Sequence, residues 1–217
     1  MKSNKPIQVS CDGGAATGKS TGAQMISKIY KLNFLSSGLL YRYATFLILK
    51  FKPNNEISFL KKKFKILKLN KLNRINLHTP EISKISAIIA KKNKIRKILK
   101  DFQVKFSQKN KRCCIEGRDI STKILPNSDI KFFFKCNLNK AAYRRYKELK
   151  KNNNKINLKD VKKALRIRNN HDVNRKSSPL LKHTDAIEID TGKLNKKAMV
   201  KKMIKHINKA VEKKYGN

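Results

Sequence analysis

The clearest chemical signal in the chain is a glycine-rich stretch, Gly13-Gly14-Ala15-Ala16-Thr17-Gly18-Lys19-Ser20. It fits the phosphate-loop pattern G-x-x-x-x-G-K-[ST], in which small residues let successive backbone N–H groups surround a phosphate. Lys19 is then expected to reach the β- and γ-phosphates of a nucleoside triphosphate, and the Ser20 hydroxyl to bind Mg²⁺. The alternative interpretation is a glycine-rich turn that binds nothing.

The segments on either side of this loop favour the first interpretation. Residues 7–11 are short and alternate as a strand does, and Ala23, Ile26 and Ile29 or Tyr30 recur at helical spacing after the loop. A helix that begins there adds unpaired N–H groups and its positive dipole end to the anion site. Strand, loop and helix together predict a site for nucleotide phosphates.

Arginine occurs at particular places in a chain that otherwise prefers lysine. Most of the arginines in question lie at the ends of predicted elements: Arg42, Arg96, Arg118, Arg144, Arg145, Arg168 and Arg175. A planar guanidinium group can make two parallel hydrogen bonds to a phosphate or to the edge of a base. The pattern therefore indicates a second phosphate-bearing ligand, with surface salt bridges as the alternative.

Two carboxylates accompany these arginines. Glu116 follows a predicted strand at the same sheet end as Ser20, where it either orients water on Mg²⁺ or pairs with a nearby arginine or lysine. Asp172 lies one helical turn from both Arg168 and Arg175. It is either held structurally by these arginines or accepts hydrogen bonds from a ribose while they hold phosphate.

Predicted strands alternate with predicted helices along the chain. The strands are expected at residues 7–11, 111–115, 130–136 and 186–190, with a short apolar step at residues 34–35. This order predicts an α/β fold of three layers, with a central parallel sheet of about five strands flanked by helices. Because ligands of such sheets bind beyond the carboxyl ends of the strands, Lys19, Glu116 and Arg118-Asp119 are expected to share one cleft.

The middle of the chain and one later tract have their own signals. Residues 59–77 mix apolar and basic residues with partial alternation and predict a small β-hairpin. Thr79 and Pro80 are typical of a helix start, and residues 91–93 are expected to divide the following helical region in two. Residues 147–157 are rich in Lys and Asn and predict a mobile, exposed loop.

Charge is the outlying property of the composition: 54 Lys and Arg stand against 14 Asp and Glu, a net charge of +40. Such a balance is typical of nucleic-acid binders. The lysines are spread along the whole chain, however, and neither Trp nor an aromatic RNA-binding pattern is present. We therefore expect a solvated basic surface and no specific nucleic-acid partner. A polyanion-binding protein with a vestigial nucleotide site is the alternative from another functional class.

The cysteines bear on the redox setting. Cys11, Cys113, Cys114 and Cys136 form no C-x-x-C pair, and no histidine stands at metal-ligand spacing from them, so we expect buried apolar residues in strands. A chain of this length does not need a disulfide framework, which favours a reducing, cytoplasmic setting. No apolar stretch fits a signal peptide or a membrane span. We expect a cytoplasmic monomer with no membrane partner.

Four stretches together resemble the cytidylate kinase family, the bacterial CMP/dCMP kinases. They are residues 12–21, Ser37-Gly38-Leu39-Leu40-Tyr41-Arg42, Glu116-Gly117-Arg118-Asp119-Ile120 and residues 168–180, within a resemblance that covers nearly the whole chain. The resemblance implies Mg²⁺-dependent transfer of the γ-phosphoryl group of ATP to CMP or dCMP. It also implies a single kinase domain over residues 1–217, with a core (1–36, 110–146 and 160–217), an acceptor-binding subdomain (about 37–109) and a lid (about 147–159).

The same resemblance implies roles for individual residues, with Lys19, Arg118 and Arg168 as the catalytic ones. ATP would bind Gly13, Gly14, Ala15, Ala16, Thr17, Gly18, Lys19, Ser20, Thr21, Arg144 and Arg145. Ser37 and Asp172 would contact the ribose of CMP. The acceptor phosphate would be held by Arg42, Arg118 and Arg175. Asp119 and Arg96 would read the cytosine edge, and Arg168 would bridge the phosphates. Ser20, and Glu116 through water, would hold the metal.

Several positions depart from the family pattern. Ser36 stands where an Asp is usual, and Ser121 replaces the usual Gly after the Arg-Asp-Ile run. Ala87, with Ser86 beside it, aligns with a serine that helps to bind cytosine. These departures leave open a broader pyrimidine nucleoside monophosphate kinase that accepts UMP as well as CMP.

Overall fold

The computed structural model describes residues 5–151 and 156–216 of the 217-residue chain. It divides into two compact units. The core unit consists of Met1–Leu35 and Lys111–Asn217, and the insertion unit consists of Ser36–Asn110.

A parallel sheet forms the centre of the core unit. Within the described residues it has five strands in the order β2-β3-β1-β4-β5. Their bounds are β1 (Ile7–Gly13), β2 (Asn33–Ser36), β3 (Arg112–Gly117), β4 (Ile130–Lys135) and β5 (Ile187–Asp190). β1 pairs in parallel with β3 and β4, and β4 pairs in parallel with β5. The predicted α/β fold with a parallel sheet of about five strands is therefore confirmed.

Helices cover this sheet and bury its apolar side chains. They are α1 (Lys19–Tyr30), α6 (Leu138–Lys150), α7 (Leu158–Asn174) and α8 (Lys196–Tyr215). Val9, Phe132 and Ile189 of the sheet pack with Ile26 of α1 and Met203 of α8 in one buried cluster. Strands buried on both faces lose the alternation of polar and apolar residues, which is why β4 contains three consecutive phenylalanines at residues 132–134.

The C-terminal ends of the central strands meet at one edge of the sheet. In the pairing register, Asp12 of β1 stands opposite Gly117 of β3, and Gly13 stands opposite Phe134 of β4. A Cβ atom on Gly13 would collide with the backbone carbonyl of Phe134. Glycine is therefore required where β1 turns into the phosphate loop.

The insertion unit is built of helices: α2 (Ser37–Phe51), α3 (Glu56–Lys65), α4 (Pro80–Ile89) and α5 (Asn93–Lys109), with a 3₁₀ helix at Leu69–Arg74. The β-hairpin predicted for residues 59–77 is wrong. Leu60 and Phe64 lie one helical turn apart, both are buried, and Phe64 packs edge-on against Phe102 of α5. Lysines lie between the two apolar residues, and this pattern fits a helix as well as a strand. Burial of Leu60 and Phe64 within the unit favours the helix α3.

The start of α4 and the division from α5 agree with the sequence. The Thr79 side chain accepts a hydrogen bond from the backbone N–H of Ile82, and Pro80 is the first helical residue. α4 ends at Ile89 and α5 begins at Asn93. Ser36, one of the departures noted in the sequence, caps α2 by accepting a hydrogen bond from the N–H of Leu39.

Two expectations about the core unit need correction. α6 continues through Lys150, so residues 147–150 are helical rather than part of the predicted loop, and Tyr146 and Leu149 pack against the buried cluster formed with α7. Residues 152–155 of that tract lie outside the described residues. Cys136 lies one residue beyond β4 and is half-buried, whereas the other three cysteines are buried in strands as expected.

Each described helix is either too short or too polar to cross a lipid bilayer.

Candidate functional site

The phosphate loop joins β1 to α1 through two residues in the left-handed backbone region. Ala16 has φ 57° and Gly18 has φ 79°. The Thr17 hydroxyl and the Lys19 ammonium group both donate to the Gly14 carbonyl, at 3.0 and 3.4 Å. Among the described residues no side chain caps the first turn of α1. The N–H groups of that turn are therefore available to an anion.

A residue from α7 also contacts the loop. The Asn169 Oδ1 atom accepts a hydrogen bond from the Ala15 N–H at 3.0 Å. The Ala15 side chain packs with Ala142 of α6 and Leu165 of α7. The loop is thus held against both helices. Asn169 was not singled out in the sequence, although its position directly after Arg168 is the signal that could have found it.

Lys19 is the buried cation of the site. It is 7% exposed, and its Nζ atom lies 3.5 Å from Glu116 Oε2. Burial, together with the positive charges of Arg118 and Arg168, lowers the pKa of Lys19 to about 8, against the opposing effects of Glu116 and Asp172. A bound polyanion would stabilise such a crowded group of cations.

Glu116 forms an ion pair with a lysine, one of the two interpretations that the sequence left open. The carboxylate is buried at the end of β3, and its partner is Lys19. No group of three or more His, Cys, Asp or Glu that could enclose a metal occurs in the described ranges. A role for Glu116 in orienting water on Mg²⁺ stays a prediction.

Arginines and aspartates alternate in a network beside Lys19. The Arg118 Nε atom donates to Asp172 Oδ2 at 2.7 Å, and an Arg175 Nη atom lies 3.6 Å from the other oxygen of Asp172. The second Nη atom of Arg175 lies 3.6 Å from Asp119 Oδ1. Burial alone would raise the pKa of Asp172, but Arg118, Arg168 and Arg175 outweigh burial and lower it.

Asp12 anchors this network to the sheet, a role that the sequence analysis does not assign to it. Its buried carboxylate accepts hydrogen bonds from the N–H groups of Ile120 and Ser121 and from the Ser121 hydroxyl, at 2.6–2.8 Å. Burial raises the pKa of Asp12, and the bonds from Ser121 and Ile120 oppose that rise. An acid at the C-terminal end of β1, directly before the glycine-rich loop, was the available signal. Ser121, a departure from the family pattern, supplies the third donor.

The two arginines of α6 have different surroundings. The Arg144 Nη atoms donate to the hydroxyl and the carbonyl of Thr191, at 3.0 and 2.7 Å. Arg145 pairs with Glu148 on its own helix, at 2.9 Å. Arg144 therefore contacts the turn after β5, while the half-buried Arg145 is paired within its own helix.

The remaining predicted residues of the core unit lie on the first turn of α1. Ser20 is half-buried and Thr21 is exposed. The structure thus brings together Lys19, Glu116, Arg118, Asp119, Arg168, Asp172 and Arg175 of the predicted set.

Three predicted residues belong to the insertion unit. Arg42 donates to the Leu77 carbonyl at 3.0 Å and to the Ser83 hydroxyl at 2.7 Å. The buried Arg96 donates to the Ala90 carbonyl, and its guanidinium carbon lies 5.7 Å from the centre of the Tyr41 ring. Ser37 is buried at the first position of α2. Both arginines are therefore positioned by contacts within this unit.

Comparisons with known proteins agree on one family. The family model for cytidylate kinase matches residues 9–209. The chain is 33% identical to the cytidylate kinase of Clostridium tetani over 97% of both chains. It is 34% identical to the cytidylate kinase of Bartonella tribocorum, covering 88% of this chain and 89% of that one.

Solved structures support the fold. An uncharacterized protein from Eubacterium ventriosum superposes with a TM-score of 0.54 at 16% identity, covering 94% of this chain and 99% of its own. A protein from Thermus thermophilus gives a TM-score of 0.51 at 13% identity, covering 95% and 98%.

Proposed function

Since this chain belongs to the cytidylate kinase family, we propose that it transfers the γ-phosphoryl group of ATP to CMP or dCMP, giving ADP and CDP or dCDP. The observation that supports this most strongly is a phosphate loop whose buried Lys19 lies beside the network of Arg118, Asp119, Asp172 and Arg175. Phosphoryl transfer needs positioned substrates and neutralised charge rather than an elaborate set of proton-transfer groups.

The donor half of the site consists of the loop, the start of α1 and Lys19. The uncapped N–H groups of α1 and its positive dipole end attract the ATP phosphates. Lys19 has a pKa of about 8, and bound phosphates would raise it and so retain its charge during transfer.

The acceptor half is proposed to rest on the arginine and aspartate network. A guanidinium group has five N–H donors. Arg118 donates one to Asp172 and one to the Gly117 carbonyl, so other donors can serve the CMP phosphate. The lowered pKa keeps Asp172 ionised, and an ionised carboxylate can accept hydrogen bonds from ribose hydroxyl groups.

Mg²⁺ fits the donor half in a particular way. Magnesium prefers oxygen ligands and commonly combines one or two protein oxygens with water and substrate phosphates. The Ser20 hydroxyl and, through water, the Glu116 carboxylate are the protein oxygens that would hold it. When bound, the ion supplies charge neutralisation for the transferring phosphoryl group.

We also propose that the insertion unit is the acceptor-binding subdomain. Arg42 and Arg96 would there contribute to binding of the acceptor phosphate and of cytosine. Residues 147–159 would act as a lid that excludes water during transfer. We further propose a cytoplasmic monomer without a nucleic-acid partner. The four cysteines are free thiols, which fits the reducing setting of that location.

Purified protein tests the proposal in an ADP-release assay with ATP and, in parallel, CMP, dCMP, UMP and AMP. Turnover should be fastest with CMP or dCMP, and Lys19→Ala should remove it without unfolding the protein. Absence of turnover with both CMP and dCMP would contradict the proposal. RNA binding without turnover would instead favour the polyanion-binding alternative.

Broader acceptance of pyrimidines is the second candidate. The Ser86 hydroxyl donates to the Ser83 carbonyl of its own helix, and the neighbouring Ala87 offers only a methyl group. Weak hydrogen bonding to the base would reduce discrimination between cytosine and uracil. Turnover of UMP comparable to that of CMP would favour this candidate.

A further inference from the structure

Thr191 connects the turn after β5 to the phosphate loop. It directly follows β5, is 3% exposed, and its hydroxyl donates to the Thr17 carbonyl at 2.8 Å. The two residues are far apart in the sequence, and no motif of the chain includes Thr191. Its methyl group also lies 3.5 Å from the place that a Cβ atom on Gly18 would take.

The hydrogen-bond capacity of the hydroxyl is matched to these neighbours. A threonine hydroxyl has one proton to donate and two lone pairs to accept with. Its proton is best placed for the Thr17 carbonyl, because the other acceptor within reach, the Lys135 carbonyl, is farther away at 3.4 Å. Arg144 donates to the hydroxyl from the other side at 3.0 Å. A guanidinium donor polarises the hydroxyl and strengthens the bond that it donates.

This bond fixes the orientation of one peptide group in the loop. In a trans peptide the C=O and the following N–H point in opposite directions. No cis peptide bond occurs in the described residues. Holding the Thr17 carbonyl toward Thr191 therefore directs the Gly18 N–H the opposite way. In this loop pattern, such N–H groups surround the phosphate.

Two side chains of helix α6 donate hydrogen bonds to the same turn. Arg144 donates to the Thr191 carbonyl at 2.7 Å, and the Lys140 ammonium group donates to the Gly192 carbonyl at 2.7 Å. A line of contacts thus runs from α6, through the turn, to the peptide between Thr17 and Gly18. A displacement of α6 would reach the loop through Thr191.

We propose that Thr191 is a positioning residue for the ATP half of the site, because its hydroxyl fixes the Thr17–Gly18 peptide and links that peptide to Arg144 of α6. This inference rests on the proposed function. In this inference Arg144 positions the loop through Thr191, in addition to any contact that Arg144 makes with ATP itself.

The test compares Thr191→Val, which removes the hydroxyl and keeps the shape, with Thr191→Ser, which keeps the hydroxyl. Loss of one buried hydrogen bond is expected to raise KM for ATP about tenfold in Thr191→Val. KM for CMP should change less than about twofold, and Thr191→Ser should restore KM for ATP. Dissociation constants of a non-hydrolysable ATP analogue, measured by calorimetry, should follow KM for ATP.

Thr45→Val is the matched control. Thr45 is also buried, and its hydroxyl donates to the Tyr41 carbonyl of its own helix at 2.9 Å. This variant should leave KM for ATP unchanged. The effects of Thr191→Val and Arg144→Gln on KM for ATP should combine to less than their product, because the two residues act through one line of contacts.

Unchanged KM for ATP in Thr191→Val, equal changes in KM for both substrates, or no restoration by Thr191→Ser would each overturn the inference. Thr191→Ala replaces the valine variant if the latter does not fold, with the same expectations. If the wild-type protein does not phosphorylate CMP, the proposed function fails, and calorimetry of the ATP analogue still decides the role of Thr191.

Discussion

Replacing Lys19 by methionine should change how the stability of the ligand-free protein depends on pH. Burial and the charge of Arg118 lower the pKa of Lys19 from 10.5 to about 8 in the folded protein. Between these two pH values the unfolded chain therefore binds more protons than the folded chain. The free energy of unfolding should rise with pH across this window, and the penalty for burying the cation is full below pH 8.

The shift sets the size of the effect. At 1.36 kcal/mol for each pH unit, it corresponds to a penalty of about 3 kcal/mol at neutral pH. Integrating the proton linkage gives a gain of about 2 kcal/mol between pH 7.5 and pH 9.5 from this one group. The affinity for ATP should change in the opposite direction, since a neutral amine attracts phosphate less.

Urea unfolding at pH 7.5 and 9.5 measures the effect in the wild type and in Lys19→Met. The wild type should gain about 2 kcal/mol more than the variant over this interval. The exposed Lys61→Met provides the control and should behave as the wild type does. Loss of the ion pair with Glu116 alters the variant at both pH values, so only the difference between them is diagnostic. Equal gains in the wild type and Lys19→Met would refute the reasoning.

Three further changes probe the sheet edge and the network. Asp12→Asn should destabilise the fold by about 2 kcal/mol and lower kcat, because one amide oxygen replaces a carboxylate that accepts three hydrogen bonds; urea unfolding and turnover measure this. Gly13→Ala should lower the free energy of unfolding by about 1–3 kcal/mol, because the added Cβ clashes with Phe134. In Gly38→Ala the added Cβ meets only a side-chain oxygen at 3.8 Å, so this control should be neutral or stabilising in the same urea unfolding measurement. Asp172 has a lowered pKa, so its contribution to the free energy of unfolding should be complete above about pH 4 and lost at lower pH. In acid titrations Asp172→Asn should lack this loss of stability. In turnover assays the same variant should raise KM for CMP.

Features encoded by neighbouring residues could be predicted from the sequence. The loop from Gly13 to Ser20 and the cap at Thr79 depend on short-range spacing, and the shared sheet edge follows from one general rule about parallel sheets. That rule alone predicts that Lys19 and Arg118 lie at the same edge of the sheet. The strand expected at residues 111–115 was placed slightly too early, because β3 continues through Glu116 to Gly117.

Contacts between distant segments could not be predicted in the same way. Thr191 and Asn169 lie 174 and 154 residues from their partners in the loop, and nothing local in the sequence names those partners. The β-hairpin error has a different cause. A single buried turn between Leu60 and Phe64 is too short to separate helical from alternating patterns when lysines fill the intervening positions.

Asp12 has a consequence for how the two substrates affect each other. It lies at the end of β1, next to the proposed ATP loop, and its carboxylate holds the turn that follows Arg118 and Asp119. A single side chain therefore connects the strand end beside the loop to the turn that carries the proposed acceptor-binding residues. If ATP alters the affinity for the acceptor by some factor, the acceptor must alter the affinity for ATP by the same factor. The Asp12 side chain is a direct contact through which such reciprocal coupling would pass between the two halves of the proposed site.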